Sequence, residues 1–306
     1  MSSFASEVKN ELARLTYDSA CCRRAELSGL LRMGGTLTLG PNMTLGLTFT
    51  SENAAVARKA LVLMKEIKEV KTEIAVRRSK RLSKRASYIV RVAPAANVRE
   101  IIDDLGLGLS TLPTAAHGGK ILKKSCCRMA YLRGAFLAGG SVNRPAAEYH
   151  MEFVTANYPF AELIQSILRR IDYPAGLGER KDDFVVYMKE GDAIEDMLAI
   201  FGAEEAASEF EVTRNVKEVR NQVNRLVNCE TANLNKTASA SAAQITAIRR
   251  LAARQGITRL PKALRETARA RLEHPEASVT ELAKITGVSR SGLYHRLRKL
   301  SDMAGE

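Results

Sequence analysis

One fifteen-residue run occurs twice in this chain, as CCRRAELSGLLRMGG at 21–35 and as CCRMAYLRGAFLAGG at 126–140. Eight of the fifteen positions coincide at a fixed offset of 105 residues, which marks an internal duplication. Small residues fall one helical turn apart in each copy: Ala25 and Gly29 in the first, Ala130, Gly134 and Ala138 in the second, between large apolar neighbours. That spacing lays a flat stripe along one helix face, so two such helices can approach backbone to backbone about a pseudo-twofold axis. The glycine pairs that close the runs, Gly34 with Gly35 and Gly139 with Gly140, stop each helix without a side chain in the way.

The segments after the two copies are parallel as well. The first is followed by strand-like TLTL and TLGLTFTS, a helix pattern ENAAVARKALVLMKEI, strand-like runs around KTEIAV and SYIVRV, and the helical NVREIIDDLGL. The second is followed by EYHMEFVTA, a helix from about 157 to 171, strands at GLGER and DFVVYM, and the helix DAIEDMLAIFG. Each half therefore reads αββαββα. After about Ala207 strand signals vanish. The fold class is α+β, a duplicated αββαββα N-terminal domain followed by an all-α C-terminal domain. The expected divisions are 1–110, 111–206, a helical linker at 207–258, and a terminal module at 259–306.

The terminal module carries the sharpest local pattern. Pro261 suits a helix start, Leu264, Ala268 and Leu272 recur along its buried face, and HPE at 274–276 ends it. Ser278 and Glu281 form a capping box before a short helix bearing Leu282, Ala283 and Ile285. Gly287 permits a tight turn, Ser289 caps a third helix, and Leu293, Leu297 and Leu300 make its buried stripe. A small residue at 283, glycine four positions later and an apolar residue six beyond is helix-turn-helix spacing. The outward face then offers Ser289, Arg290, Ser291, Tyr294, His295, Arg298 and Lys299. Arg290 and His295 are the expected base readers, Arg298 and Lys299 the phosphate contacts. A trihelical protein-binding module with a solvated basic face is the bland alternative.

Charge agrees with a polyanionic partner. The 306 residues carry a formal +13 with pI near 9.7. Basic side chains number 18 against 11 acidic in 1–110, 11 against 13 in 111–206, and 18 against 10 in 207–306, so the excess sits at the two ends. In the first half RRSKRLSKRASYIVR (77–91) gathers Arg77, Arg78, Lys80, Arg81, Lys84, Arg85 and Arg91 with no acid, a strip that can track phosphates or be merely a solvated hairpin. Between 214 and 236, Val216, Val219, Val223 and Leu226 form an apolar stripe and Lys217, Asn221, Asn224 and Asn228 another face. The bland reading is a connecting helix with a solvated side; the functional one is an extra polar contact with phosphates or a partner protein. TASASAAQ at 237–244 is a hinge or a loosely packed helix.

No apolar run approaches the ~20 residues that span a bilayer, and MSSFASEVKNELARL is an amphipathic helix rather than a signal peptide, so a cytosolic, nucleoid-associated protein without a membrane partner is expected. Four of the five cysteines stand in adjacent pairs, Cys21–Cys22 and Cys126–Cys127, with neither CxxC spacing nor a secreted framework. They are read as reduced structural thiols. His117, His150, His274 and His295 are scattered, so no metal site and no cofactor are expected.

A duplicated αββαββα unit whose first helix reads LSGLLRMGG or LRGAFLAGG resembles the LAGLIDADG homing-endonuclease fold. The resemblance places that family's metal-holding acid at the penultimate motif position of each half. Here those positions are Gly34 and Gly139, and the motif's other acidic position holds Arg32 and Leu137. In-line phosphodiester cleavage needs carboxylates to hold its metal ions. The expectation is a nuclease scaffold without a nuclease site and no catalytic residues. A residual endonuclease using acids such as Asp18 or Glu148 is the enzymatic alternative. Joined to a helix-turn-helix through RNxxNRxxNCxxAN, the whole chain closely resembles the bacterial WhiA family. That resemblance implies a sporulation or cell-division regulator acting on double-stranded DNA, as a transcription factor or through chromosome segregation, with a non-catalytic scaffold. The remaining alternative is an interaction scaffold that docks division or regulatory proteins while DNA binding is incidental.

Overall fold

An amphipathic helix, α1 (Phe4–Arg14), opens the chain with Ser3 as its cap and buries Phe4, Val8 and Leu12. The computed structural model describes residues 3–67, 70–78, 86–107 and 120–305. The first copy of the repeat then forms α2 (Ala20–Gly34), followed by β1 (Gly35–Leu39), β2 (Leu45–Ser51), α3 (Ala54–Ile67), β3 (Thr72–Arg78), β4 (Ala86–Ala95) and α4 (Ala96–Asp104). The second copy forms α5 (Ser125–Gly139), followed by β5 (Gly140–Val142), β6 (Met151–Thr155), α6 (Tyr158–Arg169), β7 (Gly176–Arg180), β8 (Asp183–Met188) and α7 (Gly191–Phe201). Both halves are αββαββα, and their four-stranded antiparallel sheets have the same order, β1-β2-β4-β3 and β5-β6-β8-β7. The strand β5 had no clear signal, because three residues, Gly-Ser-Val, are too few to show an alternation.

The two repeat helices pack directly on each other. A β-carbon built on Gly29 would stand 2.1 Å from the carbonyl oxygen of Tyr131, and one on Gly134 would stand 2.0 Å from that of Glu26. Backbone meets backbone at these points, so only glycine fits. Around the contact lies one apolar core that includes Leu27, Leu30, Phe49 and Val90 from the first half and Leu132, Phe136, Phe153 and Phe201 from the second. It also encloses a charged triad. Glu26 is fully buried, with Oε1 2.8 Å from Arg133 Nε and Oε2 3.3 Å from Lys59 Nζ. The Arg133 guanidinium lies 3.8 Å from the centre of the Tyr17 ring and donates to the Phe201 carbonyl. Burial lowers the Lys59 amine from its ordinary pKa while Glu26 opposes the shift. The repeat is asymmetric at these positions, since Glu26 corresponds to Tyr131 and Ser28 to Arg133.

The chain divides into the units Met1–Lys217 and Glu218–Glu306. The helix α8 (Glu204–Gln255) begins in the first and ends in the second, so the segment expected as a separate linker belongs to both. TASASAAQ is helical, with Ser241 buried. The second unit continues with α9 (Lys262–Glu273), α10 (Val279–Thr286) and α11 (Arg290–Gly305).

Candidate nucleic-acid interface

The terminal module is sealed by two small cores. Ile248 and Leu251 of α8 pack with Leu260, Leu264, Ala268 and Leu300, while Leu282, Ala283, Leu293 and Leu297 join α9, α10 and α11. The capping box is complete: Ser278 Oγ accepts from the Glu281 N–H at 3.2 Å, and Glu281 Oε2 accepts from the Ser278 N–H at 2.7 Å. Gly287 takes the left-handed conformation, φ +64°, that ends α10 and turns the chain. Ser289 Oγ accepts from the Gly292 N–H, so its hydroxyl is engaged in starting α11.

With Leu293, Leu297 and Leu300 turned inward, Ser289, Arg290, Ser291, Tyr294, His295, Arg298 and Lys299 are all exposed. Arg290, Tyr294 and Arg298 stand four residues apart on one stripe, and the Tyr294 and His295 rings meet edge-on at 6.0 Å. Two side chains differ from expectation. Ile285 is 53 % exposed rather than packed, because Leu282 and Ala283 already fill the seam between α10 and its neighbours. Arg271, which the sequence reading passed over, is 1 % exposed and holds the turn before α10 by donating from Nη1 to the Ala277 carbonyl at 2.6 Å and to Ser241 Oγ at 3.3 Å. Burial lowers its pKa from the ordinary arginine value. Its position seven residues after Leu264 was the available signal, a cation on the buried stripe.

In the first unit the strand registers assign the sheet faces. Phe49, Val90 and Leu47 turn to the helices, so Thr36, Thr48, Thr50, Glu73, Arg77 and Arg91 share the outer face of the first sheet. Arg77 pairs with Ser87 and Arg78 with Ala86 across the β3–β4 ladder. Lys80, Arg81, Lys84 and Arg85 lie outside the described residues. The outer face of the second sheet carries Glu152 and Arg180, joined by a two-pronged contact of 3.1 Å at each prong, with His150 Nε2 3.0 Å from the same carboxylate. The two outer faces are thus unlike, and Arg180 is already paired.

The glycines that end the repeat helices have no room for side chains. A β-carbon on Gly34 would lie 2.8 Å from the Phe49 ring, and one on Gly139 2.5 Å from Met33 Cγ. The cleft bordering Gly139 is lined by Lys9, Thr50, Ser51, Glu52, Ala138 and Gly140 among others, with Glu52 its one acid. Burial lowers the Lys9 amine to a pKa of about 8. An amine and a single carboxylate do not suit the paired divalent ions of a LAGLIDADG nuclease. Arg32 instead donates to the Gly106 carbonyl. Asp18 precedes the first turn of α2, about 20 Å along the helix from Gly34, and Glu148 lies in the exposed segment between β5 and β6. Neither acid is in the lining of that cleft.

The fold brings the paired cysteines together. Cys21, Cys22, Cys126 and Cys127, expected as thiols without ligand spacing, have their four sulfurs within 4.8 Å of one another across the α2–α5 contact. Ligand spacing along the chain missed them because the duplication, not the local sequence, brings the pairs together. On α8, the expected apolar stripe of Val216, Val219, Val223 and Leu226 faces solvent, as do Asn221, Asn224 and Asn228. Lys217 alone of that group is engaged, donating to the Ala147 carbonyl at 2.6 Å over the Tyr149 ring.

Comparison with protein families matches three consecutive models: the WhiA N-terminal LAGLIDADG-like domain over residues 20–108, the WhiA LAGLIDADG-like domain over 128–220, and the WhiA C-terminal HTH domain over 223–304. The chain belongs to the WhiA family. A WhiA protein of Desulforamulus reducens, named a probable cell division protein, is 44 % identical over 306 residues covering 99 % of this chain and 95 % of its own. One from Brevibacillus brevis with the same name is 45 % identical over 309 residues, covering 99 % and 96 %. The crystal structure of full-length WhiA from Thermatoga maritima superposes with a TM-score of 0.60 at 26 % identity, covering 99 % of this chain and 98 % of that one. The WhiA architecture of a LAGLIDADG-like part followed by a helix-turn-helix is therefore this chain's architecture. No helix among the described residues is long and apolar enough to cross a membrane.

Proposed function

We propose that this WhiA protein is a sequence-selective double-stranded-DNA-binding regulator of cell division or sporulation, working on the nucleoid, in which α11 enters the major groove. One observation carries the reading: a leucine-sealed helix presents Arg290, Ser291, Tyr294, His295, Arg298 and Lys299 together to solvent. Arg290 and His295, near the N-terminal end of α11, read base edges, and Arg298 and Lys299 grip phosphates. Arg77 and Arg91 on the first sheet's outer face, together with Arg78, Lys80, Arg81, Lys84 and Arg85 of the same basic strip of sequence, add contacts without base preference. The LAGLIDADG-like unit serves as a non-catalytic scaffold, because Gly34 and Gly139 stand where a nuclease of this fold needs acids.

The test is selection of genomic fragments by the full-length protein, followed by titration of the selected site and a scrambled one at two salt concentrations. Arg290→Ala is expected to narrow the gap between the two sites by about 1–3 kcal/mol. Arg298→Ala and Lys299→Ala weaken binding to both sites equally and each lower the salt slope by about 0.9. Unchanged affinity and preference in Arg290→Ala would sink the proposal.

A second reading, a docking scaffold for division or regulatory proteins, draws on the exposed valines of α8. It is favoured if Val219→Ser with Val223→Ser abolishes cellular function while DNA selection is unaltered.

A further inference from the structure

Of the described cysteines, four meet at one point, and that point is the N-terminal end of the contact between the repeat helices. Cys21 and Cys22 are the second and third residues of α2, and Cys126 and Cys127 are the second and third of α5. All four are free thiols whose sulfurs lie within 4.8 Å of one another. A tetrahedral zinc with Zn–S bonds of about 2.3 Å holds its sulfurs about 3.8 Å apart, so small side-chain rotations close the cluster. Two independent disulfides would need only two close pairs; a common centre for four sulfurs is what a single ion requires. A polynuclear iron–sulfur cluster would require the sulfurs to stand further apart than they do.

We propose that Cys21, Cys22, Cys126 and Cys127 bind one Zn²⁺ that staples the two halves of the LAGLIDADG-like unit together. Each half supplies two ligands, related by the same 105-residue offset as the repeat itself. The segments leading into the ligands are held in equivalent ways. Arg23 Nη1 donates to the carbonyls of Tyr17 and Asp18 at 2.7 and 2.6 Å, and Arg128 Nη1 to those of Leu122 and Lys123 at 3.1 and 3.0 Å. The ligand-bearing turns are therefore braced before any ion arrives.

Positive charge lies near the sulfurs. The sulfurs lie in the first turns of two helices, and each helix N-terminus carries partial positive charge. Lys124, at the start of α5, adds a full positive charge, and the Cys21 thiol is 3.7 Å from Ser19 Oγ, which can donate to the sulfur once it is ionised. The Ser19 hydrogen bond lowers the Cys21 thiol from its ordinary pKa, while burial raises Cys22 and Cys127, a cost that bonding to the ion offsets. Cys22 and Cys127 are buried, Cys21 is half-buried and Cys126 is exposed, which leaves the ion an entry path on one side. Binding forms four Zn–S bonds and releases one proton per thiol to solvent, with no change of oxidation state, so affinity rises with pH. The site lies at the opposite end of α2 and α5 from Gly34 and Gly139 and is separate from the nuclease position.

The test uses the full-length protein purified without chelator. Elemental analysis is expected to find about one zinc per chain, and replacement by Co²⁺ to give the charge-transfer and intense visible bands of a tetrahedral tetrathiolate. Cys22→Ser and Cys127→Ser remove the bands. Because those buried positions can also affect folding, Cys126→Ser at the exposed rim is the second probe. It should keep the native circular dichroism and weaken Co²⁺ binding by at least about tenfold. Cys229→Ser, on α8, should change nothing. Protein that holds no zinc and develops no cobalt bands after full reduction overturns the proposal, whether its thiols titrate as free or prove to have been closed as interhelical disulfides. Bands that persist unaltered in Cys126→Ser overturn the four-ligand assignment.

Discussion

Replacing Gly29 with alanine places a methyl carbon 2.1 Å from the Tyr131 carbonyl oxygen and 2.9 Å from the Ala135 nitrogen, both backbone atoms that no side-chain rotation can move aside. Relief to an ordinary separation of about 3.3 Å requires α2 and α5 to part by about 1 Å, and a gap of that size forfeits a quarter to a half of the dispersion energy of the atoms facing it. Overpacking against backbone costs about 3 kcal/mol, while the better helix propensity of alanine returns about 1 kcal/mol. The net loss of about 2 kcal/mol corresponds to a fall in the melting midpoint of the 217-residue unit of roughly 4–8 °C. Differential scanning calorimetry of full-length protein reads it directly. Gly134→Ala, with its methyl 2.0 Å from the Glu26 carbonyl oxygen, should behave alike, while Gly305→Ala, which meets nothing within 4 Å, should melt as the parent does. If Gly29→Ala and Gly134→Ala both melt within about 1 °C of the parent, the close approach of the repeat helices is wrong.

Two further outcomes follow from buried and capping charges. Glu26→Gln leaves Lys59 and Arg133 buried without their anion and should cost about 3–5 kcal/mol in chemical denaturation, far more than a surface carboxylate. In α10, the Ser278 N–H holds the Glu281 carboxyl below its usual pKa. A depressed carboxylate stabilises the fold above its unfolded pKa and loses that contribution as pH falls through the folded one. The stability difference between parent and Glu281→Gln should therefore be constant near neutrality and shrink through the acid range below about pH 4; a difference that does not change with pH would show that the ionised cap contributes nothing.

The duplication is legible because it rests on periodicity alone. Small residues at one-turn spacing predict a close helix pair, and the structure brings Gly29 and Gly134 into backbone contact. The helix-turn-helix is legible for a similar reason, since capping at Ser278, the left-handed turn at Gly287 and the leucines at 293, 297 and 300 are local rules of chain geometry. Glu26 and Arg271 gave weaker signals. A charge on an otherwise apolar stripe indicates burial, but not which partners will neutralise it.

Tertiary structure alone decided the rest. The sequence determined that two like halves must pair, that their sheets alternate inward and outward side chains, and that a basic helix follows with one face free. It did not determine that Cys21 and Cys22 meet Cys126 and Cys127, nor that Lys59 reaches Glu26, because residues 105 or 33 apart along the chain become neighbours only when two helices cross at a particular height. Periodicity specifies which face of a helix is buried; the height of the crossing is set by where the glycines let the backbones touch, and that height places the four sulfurs at a common point.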